Sequence, residues 1–311
     1  MLKQQRVVID RVSPQINGGD FYIKRVVGQV VNVSADVLAD GHDVIAASVL
    51  YKHENEKKWK ESRLTAGHND DWYGSFWVEK QGFYAYKIQG WVDYALNWQY
   101  GIGRKVADGQ HVSSELEEGI LFVEEVIKKA STSEKAYLKK LLKLFENEGD
   151  YQEAVTQAVS DSLKSIFKKY PTKFLANTSD ELSVYVDRKK ALFSTWYEFF
   201  PRSSSKKPET HGTFKDCIPL LNRVANMGFD TLYFPPIHPI GEVNRKGKNN
   251  TTTTVEGDVG SCWGIGSREG GHKDIHTELG SLDDFKKLIE KAKELDIEIA
   301  MDYALQAAPD H

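Results

Sequence analysis

FPPIHPIGEVNRKGKNN (234–250) and MDYALQAAPDH (301–311) bracket the stretch whose reading decides the fold. Just before the first, Asp230-Thr-Leu-Tyr-Phe234 is a short apolar and aromatic run stopped by Pro235 and Pro236, which reads as a buried strand. A long polar loop follows. Ser281 then stands three residues before Asp284, a capping box with Asp in place of Glu, and predicts a helix start. Phe285, Leu288, Ile289, Ala292 and Leu295 recur at helical spacing and give that helix one apolar face. Glu298-Ile-Ala-Met301 reads as a second strand, delivering Asp302 to its end. Strand, helix and strand in this order predict a parallel βαβ unit, in which ligands are held by loops at the carboxyl ends of the strands.

Working back from there, Ala191-Leu-Phe-Ser-Thr-Trp-Tyr-Glu-Phe199 predicts an earlier strand, and 214–227 a helix with Ile218, Leu221, Val224 and Ala225 inward. Gly228 marks the end of that helix. From Arg6 to Val112 short β-branched and aromatic runs (6–9, 30–37, 45–51 and 84–92) alternate with turn signals such as Asn17-Gly18-Gly19-Asp20 and Asp40-Gly41-His42-Asp43. That spacing predicts an immunoglobulin-like β-sandwich. Its tryptophans, Trp59, Trp72, Trp77, Trp91 and Trp98, are candidates either for core filling or for stacking on sugars. The segment 113–170 lacks proline and predicts three amphipathic helices: one from Ser114, one over 133–147, and one capped by Asp150 that runs toward Lys169. Glu148-Gly149 is the expected break between the last two. Leu182-Ser-Val-Tyr-Val186 predicts a strand returning to the sandwich.

The totals exclude several classes of function. With 41 basic against 45 acidic residues and a net charge of −4, nothing favours a nucleic-acid partner. Cys217 and Cys262 lack C-x-x-C spacing, so neither a disulfide framework nor a zinc site is expected, and a reducing cytoplasm fits. No signal peptide or membrane-length apolar run is read, so neither a membrane nor secretion is expected. His238, His272, His276 and His311 show no H-E-x-x-H spacing, and no metal is expected. Arg245, Lys246 and Lys248 form a basic cluster in a loop after a strand, suited either to an anionic ligand or to solvent. Trp263, Gly264 and Gly266 either line the mouth of a site or pack its loop.

Taken together, GGHKDIHTELGSLDDFKKLIEKAKELDIEIAMDYALQ (270–306), YEFFPRS (197–203), the PPIHPIG turn, the NRKGKNN loop and the final PDH resemble the bacterial maltosyltransferases that extend α-1,4-glucans from α-maltose 1-phosphate. These belong to the α-amylase clan, glycoside hydrolase family 13, and the likeness covers essentially the whole chain. It implies a multidomain plan: an immunoglobulin-like β-sandwich (1–112, with a return strand near 181–188), an inserted α-helical bundle (113–176), and the first three β-strands of a (β/α)8 TIM barrel (189–311). It also implies retaining transfer of maltosyl from α-maltose 1-phosphate to the non-reducing end of glycogen or another α-1,4-glucan, with release of phosphate. No organic cofactor is implied, and the helical module implies a homodimer.

By the same resemblance, Lys246 and Gln306 would bind the donor, and Asn250 would touch its maltosyl unit. The wider clan follows the aspartate at the Asp302 position with Asn and His, where this chain has Gln306 and Ala307. That departure favours a transferase over a hydrolytic amylase or branching enzyme and removes a calcium ligand. Asp302 is therefore read as an orienting or structural carboxylate and not as the nucleophile. The nucleophile and acid/base are expected beyond His311, so no catalytic residue is assigned and the isolated chain is expected to be inactive. A noncatalytic glucan-binding module, or a structural one, is the rival reading.

Overall fold

A computed structural model of the chain describes residues 6–146 and 150–311. It divides into two compact units, Met1–Lys189 and Lys190–His311.

The first unit begins with β1 (Val7–Ser13), β2 (Ile23–Val26), β3 (Gln29–Ala39), β4 (Ile45–His53), β5 (Lys60–Arg63), β6 (Thr65–Ala66), β7 (Asp71–Val78) and β8 (Gly82–Val92). One sheet has the order β1-β3-β7-β6. The other has β2-β10-β8-β4-β5, where β10 (Leu182–Asp187) pairs parallel to β2 and antiparallel to β8. The short β9 (Asn177–Thr178) pairs with β8. Alternation sets the inner faces: Val31, Val33, Ala35 and Val37 of β3 meet Tyr84, Tyr86 and Ile88 of β8 in one buried cluster.

Beyond β8 the strand-only reading fails. Residues 94–107 form a helix, α1 (Tyr94–Ala107), started by the Asp93 side chain, which accepts the Leu96 N–H. Gly101 and Gly103 lie inside it, but helix-interior glycines cost only about 1 kcal/mol each and tertiary packing outweighs that. Helices α2 (Ser113–Lys129), α3 (Thr132–Phe145), α4 (Tyr151–Ala158) and α5 (Asp161–Lys169) complete the bundle. The expected single helix from Asp150 is therefore two: Ser160 accepts the Leu163 N–H at 3.2 Å and restarts the helix. The break expected at Glu148-Gly149 lies outside the described residues. Gly119 sits mid-helix because a Cβ there would come within 2.3 Å of the Trp98 indole.

Three of these five tryptophans are buried. Trp72 fills the sandwich core, Trp91 is fully buried, and Trp98 belongs to the bundle core. Trp77 is exposed, and Trp59 lies beneath the Lys52 and Lys87 ammonium groups at 4.8 and 4.5 Å.

The second unit holds a parallel sheet, β11 (Trp196–Glu198), β12 (Thr231–Phe234) and β13 (Glu298–Met301), in that order. Tyr197, Leu232 and Ile299 align across it and face helices α6 (Phe214–Cys217), α7 (Leu221–Asn226) and α8 (Leu282–Glu294). The helix expected over 214–227 is interrupted by a 3-10 turn at Ile218–Leu220, because Pro219 has no N–H to give. The first strand is shorter than expected, since Lys189–Ala191 forms a 3-10 turn. The Ser281–Asp284 capping box forms as read, and Gly228 closes its helix at φ 85°. Both cysteines are free and buried, and burial pushes each thiol up to about 11. Among the described residues no helix is long and apolar enough to cross a membrane.

Candidate functional site

The loops after β11 and β12 enclose a cavity of about 870 Å³, with Arg202, Lys246, Asn250 and Trp263 among its walls. Its shape depends on how the loop from Gly241 to Gly260 folds on itself. Arg245 turns inward, donating to the carbonyls of Ile240 and Gly241, each at 2.8 Å. Thr254 Oγ1 donates to the Arg245 carbonyl, and the buried Asp258 carboxylate accepts the Val255 N–H at 2.9 Å. Gly247 has no room for a side chain: a Cβ would lie 2.2 Å from the Thr253 carbonyl oxygen. Asn249 and Asn250 take left-handed conformations at φ 56° and 60°, a region asparagine tolerates better than most residues.

The basic cluster therefore separates. Arg245 is a structural brace with its donors spent on backbone, while Lys246 and Lys248 line the cavity. Lys246 has no carboxylate partner among the described residues, which leaves its ammonium for an anion. Arg202 joins the wall, held by donation to the Gly260 carbonyl at 2.9 Å. Sequence reasoning passed over Arg202, although its place in the loop after β11 was a usable signal.

Asp302, at the end of β13, accepts the Trp263 indole N–H at 2.8 Å. It also accepts from the Tyr233 hydroxyl, whose pKa is pushed up to about 12, first by that hydrogen bond. One carboxylate thus fixes a cavity-wall tryptophan and a strand tyrosine, as an orienting group does. The structure brings Lys246 and Asn250 to one cavity. Gln306 is exposed and lies outside that lining, on a segment where Ala307 bridges to Ile265.

Residues 5–188 match the family described as alpha-1,4-glucan:maltose-1-phosphate maltosyltransferase, domain N/S. The chain belongs to this maltosyltransferase family. Proteins of that name from Chlorobaculum tepidum, Methylacidiphilum infernorum and Myxococcus xanthus are 45%, 43% and 39% identical to it. The alignments cover 99%, 99% and 98% of this chain but 46%, 46% and 47% of those maltosyltransferases. The chain spans about half the length of the relatives it matches.

Proposed function

We propose that this chain forms the donor-binding part of a retaining maltosyltransferase, which moves maltosyl from α-maltose 1-phosphate to the non-reducing end of an α-1,4-glucan. The observation that carries this reading is Lys246, without a carboxylate partner among the described residues, together with Asn250 on the wall of one cavity in a chain of this family. An ammonium there offsets the phosphate charge, and an amide both donates to and accepts from sugar hydroxyls. Asp302 and Trp263 hold the wall, while Gln306, on the segment after the third strand, lies outside the cavity lining and is left out of the donor site.

In the reaction, a carboxylate attacks the anomeric carbon as the bond to phosphate oxygen breaks, and the acceptor hydroxyl then displaces that carboxylate. Retention requires two carboxyl groups about 5 Å apart. The parallel strands are the opening of a (β/α)8 barrel, the sandwich is immunoglobulin-like, and the protein is a cytoplasmic homodimer. The plan is 1–112, 113–176 and 189–311, except that α1 (94–107), inside the first span, packs into the bundle core.

The test is phosphate release from α-maltose 1-phosphate by the protein carrying this chain, with and without glycogen. Release only with glycogen, and a KM for donor raised about tenfold or more in Lys246→Ala, is expected. Maltose freed from glycogen without phosphate would assign a hydrolase instead, and an unchanged donor KM would remove Lys246 from the site.

A further inference from the structure

His211, 65 residues before His276, meets His276 and Glu278 so that one ligand atom of each lies within 4.8 Å of the others. We propose that these three side chains form a binding site for one divalent ion of the zinc class. The set of two imidazoles and one carboxylate suits Zn²⁺ and its borderline neighbours, whereas Ca²⁺ and Mg²⁺ prefer all-oxygen sites. Tetrahedral zinc spaces its ligand atoms about 3.3 Å apart. Glu278 is exposed, so its side chain can swing to close the remaining gap.

The two rings are held by backbone. The Gly212 N–H donates to the Arg202 carbonyl at 2.7 Å, and the His276 N–H to the Ile237 carbonyl at 2.8 Å. Gly212 allows that approach, because a Cβ would stand 2.5 Å from both the Pro201 carbonyl oxygen and Ser204 Oγ. His211 Nδ1 faces the Gly212 carbonyl at 2.9 Å, so it donates there and leaves the Nε2 lone pair free, the arrangement that orients metal-ligating histidines. The ring centroids are 5.4 Å apart, at 28°.

His276 Nδ1 accepts the Glu278 N–H at 3.3 Å, a long contact that ligation through either nitrogen gives up at small cost. His211 and Glu278 also line the cavity that holds Lys246, so the ion is reached from that side. The other histidine group is less suited: His272 spends Nε2 on the Ala304 carbonyl at 2.7 Å and Nδ1 on His311 at 3.0 Å.

The test is titration of the 311-residue protein with Zn²⁺ against a chromophoric chelator, and with Co²⁺ followed by its visible absorption. One tight equivalent of Zn²⁺ and the intense bands of four-coordinate Co²⁺ are expected, unaffected by excess Mg²⁺ or Ca²⁺. His211→Ala, His276→Ala and Glu278→Gln each weaken binding about tenfold or more, while His272→Ala changes nothing. Should the half-buried His276 prove necessary for folding, the exposed Glu278→Gln decides alone. No stoichiometric binding, or equal binding by wild type and Glu278→Gln, overturns the proposal. Neither readout depends on maltosyl transfer, so the functional reading stands or falls separately.

Discussion

Strand β8 in the first unit carries Tyr84, Tyr86, Ile88 and Trp91 at 4% exposure or less, whereas Trp196 and Met301, on strands of the second unit, are 56% and 51% exposed. Both sheets are made by the same alternation, but only the first is enclosed by a second sheet. The three-stranded sheet packs one face on α6, α7 and α8, and the other face carries Trp196, Glu198 and Tyr233. Parallel sheets are ordinarily buried on both faces.

The largest expected effect tests that contrast within one sheet. Leu232→Ala removes a fully buried side chain from the helix-packed face and is expected to cost about 2–5 kcal/mol. Trp196→Ala, on the open face, should stay within about 0.5 kcal/mol. Urea unfolding of both variants measures this, and a Trp196→Ala loss as large as that of Leu232→Ala would mean that the second face is packed after all.

How much of this could be read beforehand depended on the range of the interactions. The strands β3, β4, β8 and β10 were legible because period-2 alternation and Asn-Gly or Asp-Gly turns are local. Helix α1 was not, because its two glycines weaken the local signal while the packing of Trp98 against α2 is tertiary. In the site, the position of Lys246 in a loop after a strand was legible. The inward turn of Arg245 was not, since it depends on carbonyls whose direction only the folded loop sets. The meeting of His211 with His276 and Glu278 left no linear spacing to find.

A middle-sized effect concerns a buried charge, which the enclosed unit tolerates only with a partner. The Asp93 side chain is 1% exposed and pairs with Arg63 at 3.3 Å. Burial raises its pKa, against the opposing pull of the Leu96 N–H and Arg63. A raised folded pKa means that the stability it contributes is complete at low pH and falls as pH rises through that pKa. Arg63→Met leaves the carboxylate without its counter-charge and should cost about 2–3 kcal/mol near neutral pH, somewhat below the usual cost of breaking a fully buried pair because Arg63 is partly solvated. That deficit should shrink as acid neutralises Asp93. Chemical denaturation of wild type and variant across pH measures it, and a deficit independent of pH would assign the loss to Arg63 packing over Trp91 instead.

The smallest effect lies on the solvated side of the same unit, where Glu134 closes the capping box of α3. The Lys169 ammonium first, then the Ser131 and Tyr170 hydroxyls, pull its carboxyl down from 4.5 to about 2. The folded value lies below the unfolded one, so its contribution is complete above about 4.5 and is lost as pH falls toward 2. Glu134→Gln keeps a capping side chain but cannot ionise. Its stability should therefore lie slightly below wild type at neutral pH and approach it through that acid window. Solvent screens such a pair, so the gap stays well short of that for Arg63→Met. Equal pH slopes for Glu134→Gln and wild type between 4.5 and 2 would mean that the carboxylate cluster at the start of α3 does not contribute to the stability of the bundle.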